Sequence, residues 1–170
     1  MRVIVGLGGN DGDVAGAFAA AVAGLAREHL VVARSSIWRS APVGPPQPDF
    51  LNAAVLVELS AHPRALLALC ERLEARAGRD RSRGPRFGPR PLDLDLLIAA
   101  GVVIESPPLA LPHPRLAERR FALAPAAEVA GDWLHLRLPG TLRELVASPE
   151  VAAQRCDLVA PPTAWGAASR

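Results

Sequence analysis

Two carboxylates one residue apart, Asp93 and Asp95, stand in Leu92-Asp93-Leu94-Asp95-Leu96. In an extended strand successive side chains point to opposite faces, so both carboxylates share one face and the three leucines the other. Two anions on one patch repel, which raises the cost of ionising both. A hard divalent cation removes that cost, and magnesium, which takes one or two carboxylates and completes its shell with phosphates and water, suits the pair. Taken alone, such a pair on a strand is a solvated polar face more often than a metal site. The preceding segment changes the reading: Arg79, Arg81, Arg83, Arg86 and Arg90 crowd into residues 79 to 90 against one aspartate. The chain has no lysine, so cationic side-chain contacts to phosphate fall to arginine. Guanidinium groups and a carboxylate-held magnesium meeting in one place is the recurring layout of phosphoryl transfer. The glycines and prolines of Gly84-Pro85-Arg86-Phe87-Gly88-Pro89 predict a mobile flap over that place. No side chain offers itself as a strong general base.

Positioning these residues requires a scaffold, and hydrophobic spacing supplies one. Arg2 to Gly8 reads as a buried first strand, and Asn10-Asp11-Gly12-Asp13 as a turn with Asp11 or Asp13 available as a helix cap. Ala17, Phe18, Ala21, Val22 and Leu25 then recur at helical spacing. Leu30 to Arg39 reads as a second strand, and the proline-rich run from Ala41 to Asp49 as a loop. Alternation from Leu51 to Leu59 predicts a third strand with Asn52 facing away from Leu51, Ala53, Val55, Val57 and Leu59. Pro63 opens a second helix that Gly78 stops. Leu92 to Ile98 is the next strand, with Val102-Val103-Ile104 as its expected hairpin partner beyond Gly101. A short helix is expected over Thr141 to Ala147. The order strand, helix, strand, strand, helix, strand predicts an α+β, ferredoxin-like (βαββαβ) antiparallel sheet with helices packed on one face and extra C-terminal elements. One domain over residues 1–158 and a frayed tail over 159–170 complete the expected organisation. Gly6-Leu7-Gly8-Gly9-Asn10 lacks the Gly-Lys-Ser/Thr end of a phosphate loop and reads as tight turning from strand to helix.

Bulk composition narrows the class. At 170 residues, 50% hydrophobic and 21% charged, the chain has the make-up of one ordinary globular domain. Met1 leads straight into the first strand without a basic and apolar leader, and no apolar run reaches the roughly 20 residues of a membrane span. Cys70 and Cys156 match no metal or disulfide spacing, and Cys70 lies on the apolar stripe of the second helix. A cytoplasmic protein is expected. The basic flap and the pI near 9.0 leave a nucleic-acid-binding module as a rival, against which stands the lack of an aromatic-rich base-stacking strand. A nucleotidyltransferase built on a similar carboxylate pair is a second rival.

A resemblance joins these fragments. Gly8-Gly9-Asn10, Pro42-Val43-Gly44, Pro48-Asp49-Phe50-Leu51-Asn52-Ala53, the run from Arg86 to Asp95, and Pro112-His113 follow one another as the motifs of hydroxymethyl-dihydropterin pyrophosphokinases of folate synthesis do. The chain resembles that family from about residue 2 to residue 145. The resemblance implies diphosphate transfer from ATP to a dihydropterin alcohol, two magnesium ions, and no nucleic acid or membrane partner. It implies that Phe50 and Phe121 sandwich the pterin, with Asn52 and Val43 beside it. Asp93 and Asp95 would hold the metal, with Asp93 also near the pterin hydroxymethyl group. Arg79, Arg90 and His113 would contact the nucleotide phosphates, Arg79 and Arg90 serving catalysis as well, and Glu74 and Arg119 would complete the ATP site. Gly9 stands where serine is common in the family, Phe50 and Pro114 where tyrosine is, and Phe87 where tryptophan is.

Overall fold

The computed structural model describes residues 1–60, 62–79 and 88–165. Strand β1 (Arg2–Gly9) alternates Val3, Val5 and Leu7 against Ile4, Gly6 and Gly8, and it is an inner strand of the sheet. Helix α1 (Val14–Ala26) starts where the Asp13 carboxylate accepts the Gly16 amide at 2.9 Å. Such a cap contributes about 1 kcal/mol. Strands β2 (Leu30–Arg34) and β3 (Ile37–Ser40) replace the single expected strand, broken at Ser35 and Ser36. The buried Ser35 hydroxyl accepts the Ala54 amide across the break, so the interruption leaves that donor satisfied. Strand β4 (Phe50–Glu58) follows, then helix α2 (Pro63–Arg76) with Pro63 in its first turn. Gly78, at φ 91°, takes the left-handed conformation that ends α2.

Strand β5 (Asp93–Ala99) pairs with β1 on the side opposite β4. The six-stranded sheet runs β5-β1-β4-β3, with β2 also on β4 and β8 (Cys156–Ala160) outermost, and every pairing is antiparallel. Each strand-helix-strand unit is thus split by a third strand: β4 lies between β1 and β2, and β1 between β4 and β5. Helices α1 and α2 close one face through Phe18, Val22, Leu25, Leu66, Leu69, Cys70 and Leu73 against Val3, Val5, Val55 and Val57.

Helices do not occupy one face alone. Helix α3 (Arg120–Ala130) lies on the opposite face, where Leu123 and Ala126 join Ile4, Ala54, Leu56 and Ile98 in a second core shared with α4 (Leu142–Val146) and α5 (Pro149–Ala152). The cause is the even residues of β1 and β4: Ile4, Ala54 and Leu56 are as apolar as their odd neighbours and need covering too. The expected hairpin at Val102-Val103-Ile104 is a lone bridge between Ala99 and Val102, and β6 (Ile104–Ser106) instead pairs with β7 (Leu109–Leu111). Strand β8 continues past residue 158 to Ala160 against Ile37, and residues 162–165 form a 3-10 turn.

Candidate active site

The site is built on the α3 face, where side chains are removed rather than added. Gly8 pairs with Asn52 of β4 on one side and Asp93 of β5 on the other, and Gly6 likewise lies between Ala54 and Asp95. Two glycines therefore form a trough along β1, walled by the carboxylates of β5 and by the residues of β4. A Cβ on Gly8 would come within 3.8 Å of the Asn52 Oδ1 and 3.9 Å of the Asp93 Cβ, ordinary contact, so that end of the trough is open space, whereas a Cβ on Gly6 would press on the Leu97 side chain at 3.0 Å. These glycines lie within a strand and are not the turn that the sequence suggested. Gly9 does answer to close approach, since a Cβ there would lie 2.6 Å from the Pro91 carbonyl oxygen.

The trough opens into a cleft of about 720 Å³, its mouth included, lined by Phe50, Asn52, Val43, Phe121, Arg90, Arg119, Asp93 and Asp95. Most residues of the expected pterin and metal sets thus converge. Asn52 is buried, and its amide donates to the Ser40 hydroxyl at 3.0 Å and to the Phe50 carbonyl at 3.4 Å, which leaves Oδ1 over the trough as an acceptor. An arginine lies over each aromatic ring: Arg90 5.3 Å from the centre of Phe50, and Arg119 5.5 Å from that of Phe121.

Arg79, Glu74 and His113 stand outside the cleft lining. Glu74, almost wholly buried on α2, accepts the Leu94 amide at 2.8 Å and the Arg79 guanidinium at 2.5 Å. Arg79 also pairs with Asp93, whose second oxygen lies 3.3 Å from Arg90. Glu74 therefore holds a guanidinium against the first aspartate from behind the sheet. His113 is anchored to the same strand by its amide, which donates to the Leu97 carbonyl at 2.6 Å. Burial, with Arg119 and Arg115 nearby, holds its imidazole below the ordinary histidine range. The flap arginines Arg81, Arg83 and Arg86 lie outside the described residues.

Asp95 reaches solvent through the cleft but is ringed by Asp93, Arg79, Arg119 and Arg90. Loss of bulk water, and then the neighbouring Asp93 charge, push its carboxyl up to about 6. Among the described residues no group of three or more histidine, cysteine or acidic side chains is disposed to hold a metal ion. Two hard oxygen donors on one strand face therefore fit a cation that takes two carboxylates and completes its shell from water and phosphate, which is magnesium's habit. The Nε of Arg90 is buried without a partner.

Two contributors escaped the sequence. Asn10 ties three segments together: its Nδ2 donates to Gln47 and to the Pro48 carbonyl, both at 3.0 Å, and its Oδ1 accepts the Arg90 amide at 3.0 Å. Ser40 orients Asn52. The only local signal for Asn10 was its place after two glycines, and Ser40 carried none.

Residues 4–131 match the model of the 7,8-dihydro-6-hydroxymethylpterin-pyrophosphokinase (HPPK) family. The chain belongs to this family. A curated relative from Synechocystis sp., the 2-amino-4-hydroxy-6-hydroxymethyldihydropteridine pyrophosphokinase, is 40% identical over 152 residues, which cover 88% of this chain and 77% of the relative. The protein of the same name from Methylorubrum extorquens is 43% identical over 139 residues, 77% of this chain and 84% of that one. The crystal structure of wild-type Plasmodium falciparum HPPK-DHPS superposes with a TM-score of 0.61 over 85% of this chain at 13% identity. It shares the fold, and this chain spans 44% of its length. The HPPK match covers β1 through α3, the stretch that carries the trough, both aromatic rings and both aspartates.

Proposed function

We propose that this chain transfers diphosphate from ATP to 6-hydroxymethyl-7,8-dihydropterin, giving AMP and the pterin diphosphate. One observation carries the reading: in an HPPK-family chain, one cleft lined by Phe50 and Phe121 runs along the glycines of β1 to Asp93 and Asp95. A flat heterocycle stacks between the rings, and the Asn52 Oδ1, fixed by Ser40, accepts from an N–H on its edge. Val43 closes the slot. The pterin hydroxymethyl group then points along the trough toward Asp93.

Its oxygen forms a bond to the β-phosphorus of ATP as the bond from that phosphorus to the oxygen bridging to the α-phosphate breaks, and AMP departs with that oxygen. The hydroxyl proton passes to solvent water as the new bond forms, since no side chain of the cleft stands as a strong general base. Asp93 and Asp95 would hold magnesium, two ions in this reading, which would supply charge neutralisation on the transferred group. Arg79, Arg90, His113 and Arg119 bind phosphate oxygens, and Glu74 keeps Arg79 aimed at the β5 end of the cleft. ATP and the dihydropterin alcohol are the partners, with no nucleic acid. The setting is cytoplasmic, consistent with two free, buried thiols and, among the described residues, no helix long and apolar enough to cross a membrane.

Product analysis by phosphorus NMR tests this reading. AMP should form only when ATP, magnesium and the dihydropterin alcohol are all present. Release of pyrophosphate would instead make the chain a nucleotidyltransferase, and failure to consume ATP would remove the enzyme reading altogether.

A further inference from the structure

Arginines in this fold are mostly matched. Arg2 pairs with Glu58, Arg72 with Glu28, Arg137 with Glu105, Arg143 with Asp132 and Arg155 with Asp49 and Asp157, while Arg64 and Arg120 bond backbone carbonyls. Arg27, Arg39 and Arg76 are scattered exposed cations with no such partner among the described residues, and one turn gathers two more beside the cleft. Between β7 and α3 the chain presents His113, Arg115 and Arg119 within seven residues, and among the described residues neither guanidinium has an ion-pair or hydrogen-bond partner.

The turn is built, not loose. The His113 amide is held by the Leu97 carbonyl of β5, the Leu116 amide returns to the His113 carbonyl at 2.9 Å, and the Arg115 amide donates to the His113 Nδ1 at 3.1 Å. Leu116 is wholly buried and anchors the turn in the second core. Arg115 and Arg119 flank a 3-10 turn, residues 116–118, at its two ends. The groups are close enough to interact: both arginines lower the proton affinity of His113, and Arg115 lowers that of Arg119, in each case after the effect of burial. Asp95, Glu118 and Asp93 offset part of this charge from a distance, and a polyanion on the turn would supply counter-charge in direct contact with both guanidinium groups.

Arg119 lines the cleft, whereas Arg115 is exposed on the same turn outside the lining. A ligand that meets both must run from the cleft over the turn and carry negative charge along that course. The uncharged pterin in its aromatic slot does not fit that description, and the triphosphate of ATP does. We infer that Arg115 is a further nucleotide-binding residue, which with His113 and Arg119 holds phosphate at the outer end of the cleft. This rests on the reading of the chain as an ATP-dependent pyrophosphokinase. Arg115 acts in nucleotide binding and has no part in the pterin slot, and its backbone role in the turn is independent of its guanidinium.

The test uses the whole chain with Arg115→Gln, which keeps the amide bond to His113, and with Arg115→Lys. Calorimetry measures a non-hydrolysable ATP analogue with magnesium, and separately the dihydropterin alcohol. Loss of one charge-assisted contact should weaken the analogue roughly tenfold in Arg115→Gln, with pterin affinity unchanged and Arg115→Lys recovering part of the loss. The slope of analogue affinity against salt should also fall, since one cation no longer contributes. Unchanged analogue affinity in Arg115→Gln, beside a wild type that binds the analogue and forms AMP, would overturn the role of Arg115 alone. Equal weakening of both ligands would overturn it too, by showing a damaged turn. A wild type that forms no AMP in the presence of the pterin would sink the functional reading and this residue's role together.

Discussion

The two faces of the central sheet are made by the same strands and end in opposite states. On the α1 and α2 face, Val3, Val5, Leu7, Ala53, Val55, Val57, Leu94 and Leu96 are sealed beneath two helices with no polar interruption within the strands. On the other face α3 covers only half: Ile4, Ala54, Leu56 and Ile98 are buried, and beyond them Gly6, Gly8, Asn52, Asp93 and Asp95 lie open to the cleft. One face is spent on stability, while the second supports the first half of its length with packing and leaves the other half for a ligand. A site of unlike groups can persist there because it needs no contribution to folding, and its strands are held in register from behind.

Crossing the two faces by substitution gives the largest expected effects. Phe18→Ala should cost about 4 kcal/mol in denaturant unfolding, since it empties a fully buried position between α1 and the sheet. Any Phe18→Ala protein that remains folded should still bind both ligands. Asp95→Ala should do the reverse, with turnover at saturating magnesium falling by about a thousandfold or more and the unfolding midpoint held or raised. Asp93→Ala should resemble it in turnover. Near wild-type turnover in either aspartate variant would break the division between the faces and the two-carboxylate site with it.

Within the open face, the pterin slot and the phosphate end should separate. Phe50→Ala and Phe121→Ala are each expected to weaken the pterin by about 1 kcal/mol more than they weaken an ATP analogue. Asn52→Ala should act the same way. Equal losses for both ligands by calorimetry would mean that the rings are general packing and not a slot.

The smallest effect sharpens the idea that the open face opposes folding. Asp95 has a folded pKa of about 6, raised above the carboxylate reference of 3.8. A group raised on folding gives its full contribution below the unfolded value and loses it as pH climbs through the folded value. The ligand-free protein should therefore be penalised by the ionised Asp95 above about pH 6. Because the carboxylate is solvent-accessible, screening reduces the full linkage to about 1 kcal/mol. Asp95→Asn should raise the thermal midpoint of the free protein at pH 8 by a few degrees and leave it unchanged near pH 3.5. A midpoint shift of the same size at both pH values would place the effect in packing and not in charge.

The sequence by itself determined what depends on neighbours along the chain. Alternation put Asp93 and Asp95 on one side of β5, Asp13 capped α1, Pro63 opened α2, and Gly78 ended it, because a 2.0 or 3.6 residue period fixes facing without reference to any other segment. The family motifs added Phe50, Asn52 and Phe121, and these line one cleft. Only the tertiary structure decided which strands flank β1, and hence that Gly6 and Gly8 become a trough between an amide and two carboxylates and not a turn. Likewise decided in space are the tie from Asn10 to Arg90 and Pro48, the support of Asn52 by Ser40, the helix on the second face, and the turn that sets Arg115 beside Arg119. Cross-strand register is fixed by the summed packing of both faces, and no local run of residues encodes that sum.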